Sequence, residues 1–278
     1  MDRRTIIITG ASDGIGAAAS RALAARGERL LLVGRSPEKL AAVAEPLGAE
    51  RFAADFARLD EVRALAQWVQ ERTDRIDVLA NNAGGVFAER VVTVDGNERT
   101  MQVNHDAAFL LTHLLLDTLV TSGAKVVNTS SAAAGKFGEL DLDDLEHDGK
   151  YAAMRAYGDS KLANILFTAG LDARYRSRGL SAVAFHPGDI ASNFAKDTGG
   201  GLVRFFYASP LAAFLQSPEA GAHRLLWAVD GTPGADWQSG AYYSAPGRLP
   251  RRPHPQQDDT ALMDAFWVES ARRVGVGG

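Results

Sequence analysis

The chain has 278 residues, no cysteine and a formal net charge of −4, with 46% apolar and 23% charged residues. These values are ordinary for a globular protein and allow a sizeable core. The lack of cysteine excludes disulfides, thiolate nucleophiles and Cys-ligated metals. The sequence has no block of basic residues of the kind that binds nucleic acid. No apolar run is long enough to cross a bilayer or to form a signal-peptide core, so we expect a cytoplasmic protein.

Short apolar runs alternate with helical stretches along most of the chain. Strands are predicted over residues 5–9, 29–33, 51–54, 76–80, 125–129 and 180–185, and helices over 14–26, 37–45, 59–72, 97–120 and 154–178. Continuous apolar strands are typical of a parallel sheet that helices cover on both faces. We therefore expect an α/β fold: one Rossmann-type domain over residues 1–278, with a doubly wound parallel sheet of about seven strands and flanking helices.

A glycine-rich turn joins the first predicted strand to the first helix: Thr9-Gly10-Ala11-Ser12-Asp13-Gly14-Ile15-Gly16. Glycines let the backbone approach a pyrophosphate, and the helix N-terminus offers N–H groups to the anion. The spacing is G-x-x-x-G-x-G rather than the commoner G-x-G-x-x-G. Three glycines can also serve strand–helix packing alone, so the turn indicates a dinucleotide site without proving one.

Residues after the next strands bear on the choice of cofactor. The second strand ends at Gly34-Arg35, where an acidic residue would bind the ribose of NAD. Arg35 could instead pair with the 2′-phosphate of NADP, or it could be a solvated surface arginine. Asp55-Phe56 follows the third strand, near the expected adenine position, and Asn81-Asn82-Ala83-Gly84 follows the fourth.

Tyr157 and Lys161 share a face of the helix predicted over residues 154–178. An ammonium beside a phenol lowers the pKa of the phenol, which makes a tyrosine usable as an acid or base. The pair is common by chance, and the alternative is a packed tyrosine ring with a lysine that reaches water.

Two further polar positions are candidates. Ser131 closes the fifth strand, where its hydroxyl could bind a substrate carbonyl or merely cap a turn, and Ser130 is an alternative to it. Asn104 lies within an apolar helix pattern, so a buried amide there needs partners, which a neighbouring strand could supply.

Other chemistries find little support. The six histidines have no metal-ligand spacing, and no metal site is expected. Ser131 lacks the G-x-S-x-G elbow of a hydrolase. The acidic stretch from Asp141 to Glu146 lacks the glycine and terminal glutamate of a calcium loop.

The motifs occur together and in order over essentially the whole chain. Their combination resembles the classical short-chain dehydrogenase/reductase family. From Ser130 onward, the runs Leu142-Asp-Asp-Leu145, Ser160-Lys-Leu-Ala-Asn164 and His186-Pro-Gly188 look like the retinol dehydrogenase-like and WW-domain oxidoreductase-like branch.

The resemblance implies roles for particular residues. Tyr157 would be the general acid or base, Lys161 would hold the nicotinamide ribose, Ser131 would orient the carbonyl, and Asn104 would support a proton-relay water. The cofactor would contact Gly10, Ser12, Asp13, Gly14, Ile15, Gly16, Arg35, Asp55, Phe56, Asn82, Ala83, Gly84, Tyr157, Lys161, Pro187, Gly188, Ile190 and Ser192. Asp13 departs from the serine frequent in this branch and adds a negative charge near the phosphates.

From the residues and the resemblance together, we predict an enzyme that transfers a hydride between NADP(H), rather than NAD(H), and a small-molecule carbonyl or alcohol substrate that is apolar, such as an aldehyde, a ketone or a retinoid- or steroid-like molecule. Residues 193–218 are interpreted as an accessory substrate lid, with an oligomer or membrane-surface contact as the alternative. Homodimers and homotetramers are usual in the family. The competing function is a non-catalytic NADP(H)-binding regulator or scaffold, since folds are reused for binding.

Overall fold

Residues 3–188 and 217–277 are described by the computed structural model. They contain one seven-stranded sheet in the order β3-β2-β1-β4-β5-β6-β7. The strands are β1 (Thr5–Thr9), β2 (Arg29–Gly34), β3 (Glu50–Ala53), β4 (Val78–Asn81), β5 (Lys125–Thr129), β6 (Ser181–Phe185) and β7 (Tyr242–Tyr243). Every neighbouring pair is parallel. The predicted α/β Rossmann-type sheet is confirmed, although the sequence did not predict β7.

The helices follow the strands as expected for a doubly wound fold. They are α1 (Gly14–Ala24), α2 (Pro37–Ala44), α3 (Leu59–Gln70), α4 (Arg99–Met101), α5 (Ala107–Leu114), α6 (Leu116–Thr121), α7 (Ala133–Phe137), α8 (Ala153–Tyr175), α9 (Pro218–Asp230) and α10 (Thr260–Val274). Ser36 caps α2 by accepting a hydrogen bond from the Lys39 N–H at 3.3 Å, and Pro37 opens the helix. Ser217 and Pro218 start α9 in the same way.

The prediction of a single long helix over residues 97–120 is wrong. The segment instead contains α4, a π-helix over Gln102–Asp106, α5 and α6. Leu115, between α5 and α6, has φ −97° and ψ 3°, which is outside the helical region. A π-turn accommodates one extra residue in the helix. Its side-chain partners, Gly85 and Ser160, are distant in the chain, so the local sequence did not reveal it.

The core lies on both faces of the sheet because successive strand residues point to opposite sides. Ile7 packs on the face that α3, α5, α8 and α10 cover, where Phe109, Phe167 and Trp267 meet. Ile6 and Ile8 pack on the other face, against α1, α2 and α9. This two-sided cover explains why the strands read as continuous apolar runs.

A buried ion pair ties the C-terminal helix α10 to the π-helix. The Arg273 guanidinium donates to the Asp106 carboxylate at 2.8 Å, and their side chains are 2% and 0% exposed. Arg273 also pairs with Glu146, whose carboxylate accepts a hydrogen bond from the Glu98 N–H. Asp106 is the last residue of the π-helix, so α10 constrains the segment that carries Asn104.

The carboxyl ends of β1, β2, β4, β5 and β6 meet at one edge of the sheet, beside the change of strand order between β1 and β4. In open α/β sheets ligands bind at this edge. Within the described ranges, no helix has the length and apolar character needed to span a membrane.

Candidate active site

The glycine turn has a backbone that only small residues allow. Gly10 has φ +68°, and a Cβ placed on it would lie 2.9 Å from the Ala83 Cα. A Cβ on Gly16 would lie 2.3 Å from the Gly10 carbonyl oxygen. The turn therefore packs closely against the Asn82–Ala83 segment and presents its backbone at the start of α1, as a pyrophosphate site requires.

Thr9 joins this turn to the segment after β4. Its hydroxyl accepts hydrogen bonds from the main-chain N–H groups of Asn82 and Ala83, both at 3.0 Å, and donates to the Ala80 carbonyl. The Asn82 side-chain amide donates to the Thr9 carbonyl at 3.0 Å. From the sequence, Thr9 was predicted to end the first strand and begin the glycine turn, with no role for its hydroxyl. Its position directly before the first glycine was the available signal.

Asp13 is the N-cap of α1. Its side-chain Oδ1 accepts a hydrogen bond from the Gly14 N–H at 2.7 Å. The carboxylate is exposed and occupies the positive end of the helix dipole. The negative charge expected beside the phosphates is therefore present at the helix N-terminus.

Arg35 and Asp55 lie at the ends of neighbouring strands, as predicted. Arg35 is exposed after β2, and Gly34 packs so closely on Ser12 that a Cβ would lie 2.9 Å from its Oγ. Asp55 is half-buried and its Oδ1 accepts from the Ala57 N–H at 3.0 Å. The Phe56 side chain belongs to the apolar core, so only its main chain can reach a cofactor.

Tyr157 and Lys161 lie one turn apart on α8, and both are buried. The Lys161 ammonium is 5.6 Å from the centre of the Tyr157 ring and donates to the Thr129 carbonyl at 3.2 Å. Burial lowers the pKa of Lys161 to about 8. The structure thus places an ammonium beside the phenol, the arrangement that favours proton transfer by the Tyr157 hydroxyl.

The two serines after β5 differ in their surroundings. The Ser130 hydroxyl is buried and donates to the Lys161 carbonyl at 2.8 Å. Ser131 is half-buried, and its Oγ accepts from the Ala133 N–H at 3.1 Å, which leaves the hydroxyl proton for another acceptor. Ser131 is therefore the better placed candidate to meet a substrate carbonyl.

Asn104 lies in the π-helix and is almost fully buried. Its Oδ1 accepts from the Gly85 N–H at 2.7 Å, while its Nδ2 donates to the Gly85 carbonyl and to the Ser160 Oγ, both at 2.9 Å. The side chain thus holds the segment after β4 against α8. A neighbouring strand was predicted as the partner, whereas the structure gives the loop after β4 and helix α8.

The phenol of Tyr157 lies against an apolar wall. Tyr157, Val86 and Ala133 form a small buried cluster, with Ala153 and Met154 packed against it. These residues come from the segment after β4, from α7 and from the first turns of α8. The Tyr157 side chain is therefore surrounded by aliphatic side chains.

Helix α8 approaches α7 through two glycines. A Cβ on Gly158 would lie 2.6 Å from the Gly138 nitrogen, and one on Gly138 would lie 2.9 Å from the Gly158 carbonyl oxygen. This backbone contact sets the spacing between the segment after Ser131 and the residue next to Tyr157.

The turn after β6 closes the described part of the site. Gly188 has φ +97°, and Arg224 of α9 donates to the His186 carbonyl at 3.3 Å and to the Ser244 carbonyl at 3.2 Å. Sequence reasoning did not select Arg224. Ile190, Ser192 and most of the predicted lid, residues 193–216, lie outside the described residues. Across residues 3–188 and 217–277, no three His, Asp or Glu side chains are grouped as a metal site would need.

Comparison with known proteins identifies the class. A family model described as short chain dehydrogenase matches residues 4–200. The chain therefore belongs to the short-chain dehydrogenase/reductase family, whose members are NAD(P)-dependent oxidoreductases acting on CH–OH and C=O groups.

Individual relatives refine the comparison. The chain is 40% identical to a candidate daunorubicin C-13 ketoreductase, DnrU, of Streptomyces sp. (strain C5), over 98% of this chain and 93% of the relative. It is 35% identical to human retinol dehydrogenase 13, over 98% of this chain and 85% of the relative. Pseudomonas aeruginosa RhlG, solved with NADP, superposes with a TM-score of 0.67 at 26% identity, over 88% of this chain and 95% of that one.

Proposed function

We propose that this chain is an NADP(H)-dependent reductase of apolar ketones or aldehydes, or the corresponding alcohol dehydrogenase, with Tyr157 as general acid or base. One observation carries the proposal. Tyr157, held beside the Lys161 ammonium, lies against an apolar wall at the carboxyl edge of the sheet. A positioned proton donor in an apolar site fits carbonyl reduction better than nucleotide binding alone.

The residues present fit a dinucleotide. Gly10 and Gly16 let the turn pack tightly against Ala83 and against itself, so that its backbone lies at the start of α1. The cofactor would supply the hydride. Arg35, exposed directly after β2, supports NADP(H), because a guanidinium suits a 2′-phosphate and the residue at this position is not a carboxylate. We propose that Asp55 binds near the adenine and that Asn82, Ala83, Pro187, Gly188, Ile190 and Ser192 complete the site.

In the proposed reaction, the residues of the protein transfer one proton. In reduction the Tyr157 hydroxyl donates its proton to the carbonyl oxygen as that oxygen gains negative charge, and in oxidation the phenolate accepts the alcohol proton. The Lys161 ammonium stabilises the phenolate. Ser131 donates a hydrogen bond to the same oxygen and orients it, and Asn104 holds the adjoining main chain in place.

The apolar wall supports an apolar substrate. Val86, Ala133 and Met154, which pack around Tyr157, carry no charge. One relative is named for a ketone and another for retinol, which agrees with this choice. A pocket of this kind gains affinity from buried apolar area, while Ser131 and Tyr157 fix the orientation of the reacting group.

The test is a screen of cofactor oxidation with purified protein. NADPH and NADH are run in parallel against retinal, steroid ketones, quinones, polycyclic ketones and medium-chain aldehydes. Tyr157→Phe should lower kcat by about 100- to 10,000-fold, the usual contribution of general acid catalysis, with NADPH binding retained. Tyr175→Phe, on the same helix but away from the site, is the matched control.

The possible results distinguish an enzyme from a protein that only binds NADPH. Turnover by the wild type that Tyr157→Phe abolishes supports the proposal. A wild type that binds NADPH but turns over no carbonyl or alcohol would favour a regulatory or scaffold role. Turnover that Tyr157→Phe leaves unchanged would overturn the assignment of Tyr157.

A further inference from the structure

Behind Lys161, Asn164 makes a set of hydrogen bonds that the proposed reaction does not use directly. It lies three residues after Lys161 on α8, so both side chains face the same side. Its Nδ2 donates to the Asn104 carbonyl at 3.1 Å and to the Thr129 carbonyl at 3.2 Å. Lys161 donates to that same Thr129 carbonyl at 3.2 Å. Asn164 and Lys161 therefore share an acceptor.

The surroundings determine which way the Asn164 amide faces. The Asn104 and Thr129 carbonyls can only accept hydrogen bonds, so the NH₂ group must point toward them. The Asn164 Oδ1 then lies 3.3 Å from the Nδ1 of His105, which must carry a proton to satisfy it. The Oδ1 and Nδ2 atoms of Asn164 have the same shape, so they are assigned here from their hydrogen-bond partners.

His105 has its own partner on the C-terminal helix. In a neutral imidazole with a proton on Nδ1, Nε2 is an acceptor, and the Ser270 hydroxyl lies 2.9 Å away to donate to it. Burial lowers the pKa of His105 to about 4, which agrees with a neutral ring. The direction of donation therefore runs from Ser270 to His105, then to Asn164, and ends at the two carbonyls.

This series of hydrogen bonds can hold side chains in position, but it cannot carry a proton to Lys161. A carbonyl oxygen has no proton to pass on, so the Thr129 carbonyl separates Lys161 from Asn164 as a proton path. What the series can do is fix two acceptors, the Thr129 carbonyl beneath the Lys161 ammonium and the Asn104 carbonyl of the π-helix. Without it, both would lose a buried donor.

We propose that Asn164 is a positioning residue for Lys161 and Asn104, and that His105, in its Nδ1-protonated form, sets the orientation of the Asn164 amide. The inference rests on the proposed reductase function. It adds two residues that touch neither substrate nor cofactor, and it connects the candidate site to Ser270 on α10.

The test compares kinetics with stability. Asn164→Leu removes the donor, and we expect kcat per folded molecule to fall about 10- to 100-fold, with KM for the carbonyl within about twofold. Thr168→Val is the matched control, since the Thr168 hydroxyl donates to the Asn164 main-chain carbonyl at 2.7 Å one turn further along. It should lower Tm and leave kcat unchanged.

A second pair of variants tests His105. His105→Asn keeps a donor near the position of Nδ1 and should retain kcat within about threefold, whereas His105→Leu should lose about tenfold or more. Equal loss in both variants, or wild-type kcat in Asn164→Leu, would overturn the proposal.

NMR of the wild type with ¹⁵N-labelled histidine provides a check that needs no variant to fold. The His105 ring should be neutral and protonated at Nδ1, and a proton on Nε2 contradicts the inference. The two proposals fail separately. If Tyr157→Phe keeps turnover, the proposed function is wrong. If Tyr157→Phe abolishes turnover while Asn164→Leu does not alter kcat, only the positioning role is wrong.

Discussion

Gly84 lies directly against Asn104: a Cβ placed on this glycine would be 2.8 Å from the Asn104 Oδ1 and 3.1 Å from the Lys161 Nζ. The segment after β4 therefore has no room for a side chain at the point where the π-helix and α8 meet. The absence of a side chain at Gly84 is therefore a steric requirement of the candidate site. The sequence suggested only that this glycine lies close to a cofactor.

Substitution of Gly84 tests this requirement. Gly84→Ala forces Asn104 or Lys161 to move by several tenths of an ångström, and we expect kcat to fall about tenfold or more, because small displacements of positioned groups cost rate. Gly149→Ala is the control, since a Cβ there has no neighbour within 4 Å. Steady-state kinetics of both variants measure the difference, and equal kcat values would refute the steric argument.

The pKa of Lys161 predicts a pH dependence. In the folded protein burial lowers this pKa from 10.5 to about 8, so the ammonium is lost as pH rises through about 8. We expect kcat/KM to decline above that pH, because it reports the ionisation of the free enzyme. A kcat/KM that stays flat from pH 7 to 10 would contradict the prediction.

The same lysine should make the folded protein more stable as pH rises, whereas activity should fall. Between about pH 8 and 10.5 the unfolded chain binds more protons at Lys161 than the folded chain, so its contribution to stability rises with pH across this window. Below pH 8 the buried charge is a constant cost. Urea unfolding of wild type and Lys161→Met at several pH values isolates the contribution, since other groups cancel in the difference.

Arg35 should set the cofactor preference. Arg35→Ala removes the proposed partner of the 2′-phosphate, a charge-assisted interaction of about 1.5–3 kcal/mol, which corresponds to about 10- to 100-fold in affinity for NADPH. The affinity for NADH should change little. Arg51→Ala on the neighbouring β3, where Arg51 pairs with Glu45 at 2.8 Å, is the control. Titration by fluorescence measures both cofactors, and a parallel loss for NADPH and NADH would argue against a 2′-phosphate contact.

The buried pair of Arg273 with Asp106 predicts a large effect on stability. Arg273→Met leaves a buried carboxylate without its cation, and removal of one partner of such a pair typically costs about 3–5 kcal/mol. Arg272→Ala is the control, because its side chain is 72% exposed and pairs only on the surface with Glu269. Urea unfolding should show a change near zero for Arg272→Ala.

A double variant refines this prediction. Arg273→Met with Asp106→Leu removes both members of the pair, and it should be more stable than Arg273→Met alone, because no unpaired charge stays buried at position 106. If the double variant is the less stable of the two, the loss comes from packing rather than from charge.

The sequence predicted what local patterns encode. Thr5–Thr9 and Lys125–Thr129 agree with prediction in both bounds because each is an apolar run ended by polar residues. The π-turn at Asn104 was not predicted, since it depends on contacts with Gly85 and Ser160, which are distant in the chain. The choice between Ser130 and Ser131 likewise required the contact of Ser130 with α8.

Residues that act through partners were the hardest to predict. Asn164 ends the run Ser160-Lys-Leu-Ala-Asn164 and His105 directly follows Asn104, but neither position shows that one side chain orients the other. Helices α9 and α10 were not predicted, although Ser217-Pro218 and Asp259 are good helix caps. Ile190, Ser192 and the lid over residues 193–218 stay predictions.

The contact between Gly138 and Gly158 matters for anyone who wishes to redesign this protein. Because main chain meets main chain there, neither position accepts a larger residue alone, and no compensating change at the other can make room. A mutational library meant to broaden the range of accepted molecules should therefore leave both glycines fixed. Diversity is better placed at Val86 and Met154, which pack around the Tyr157 ring and are not part of this contact between backbones.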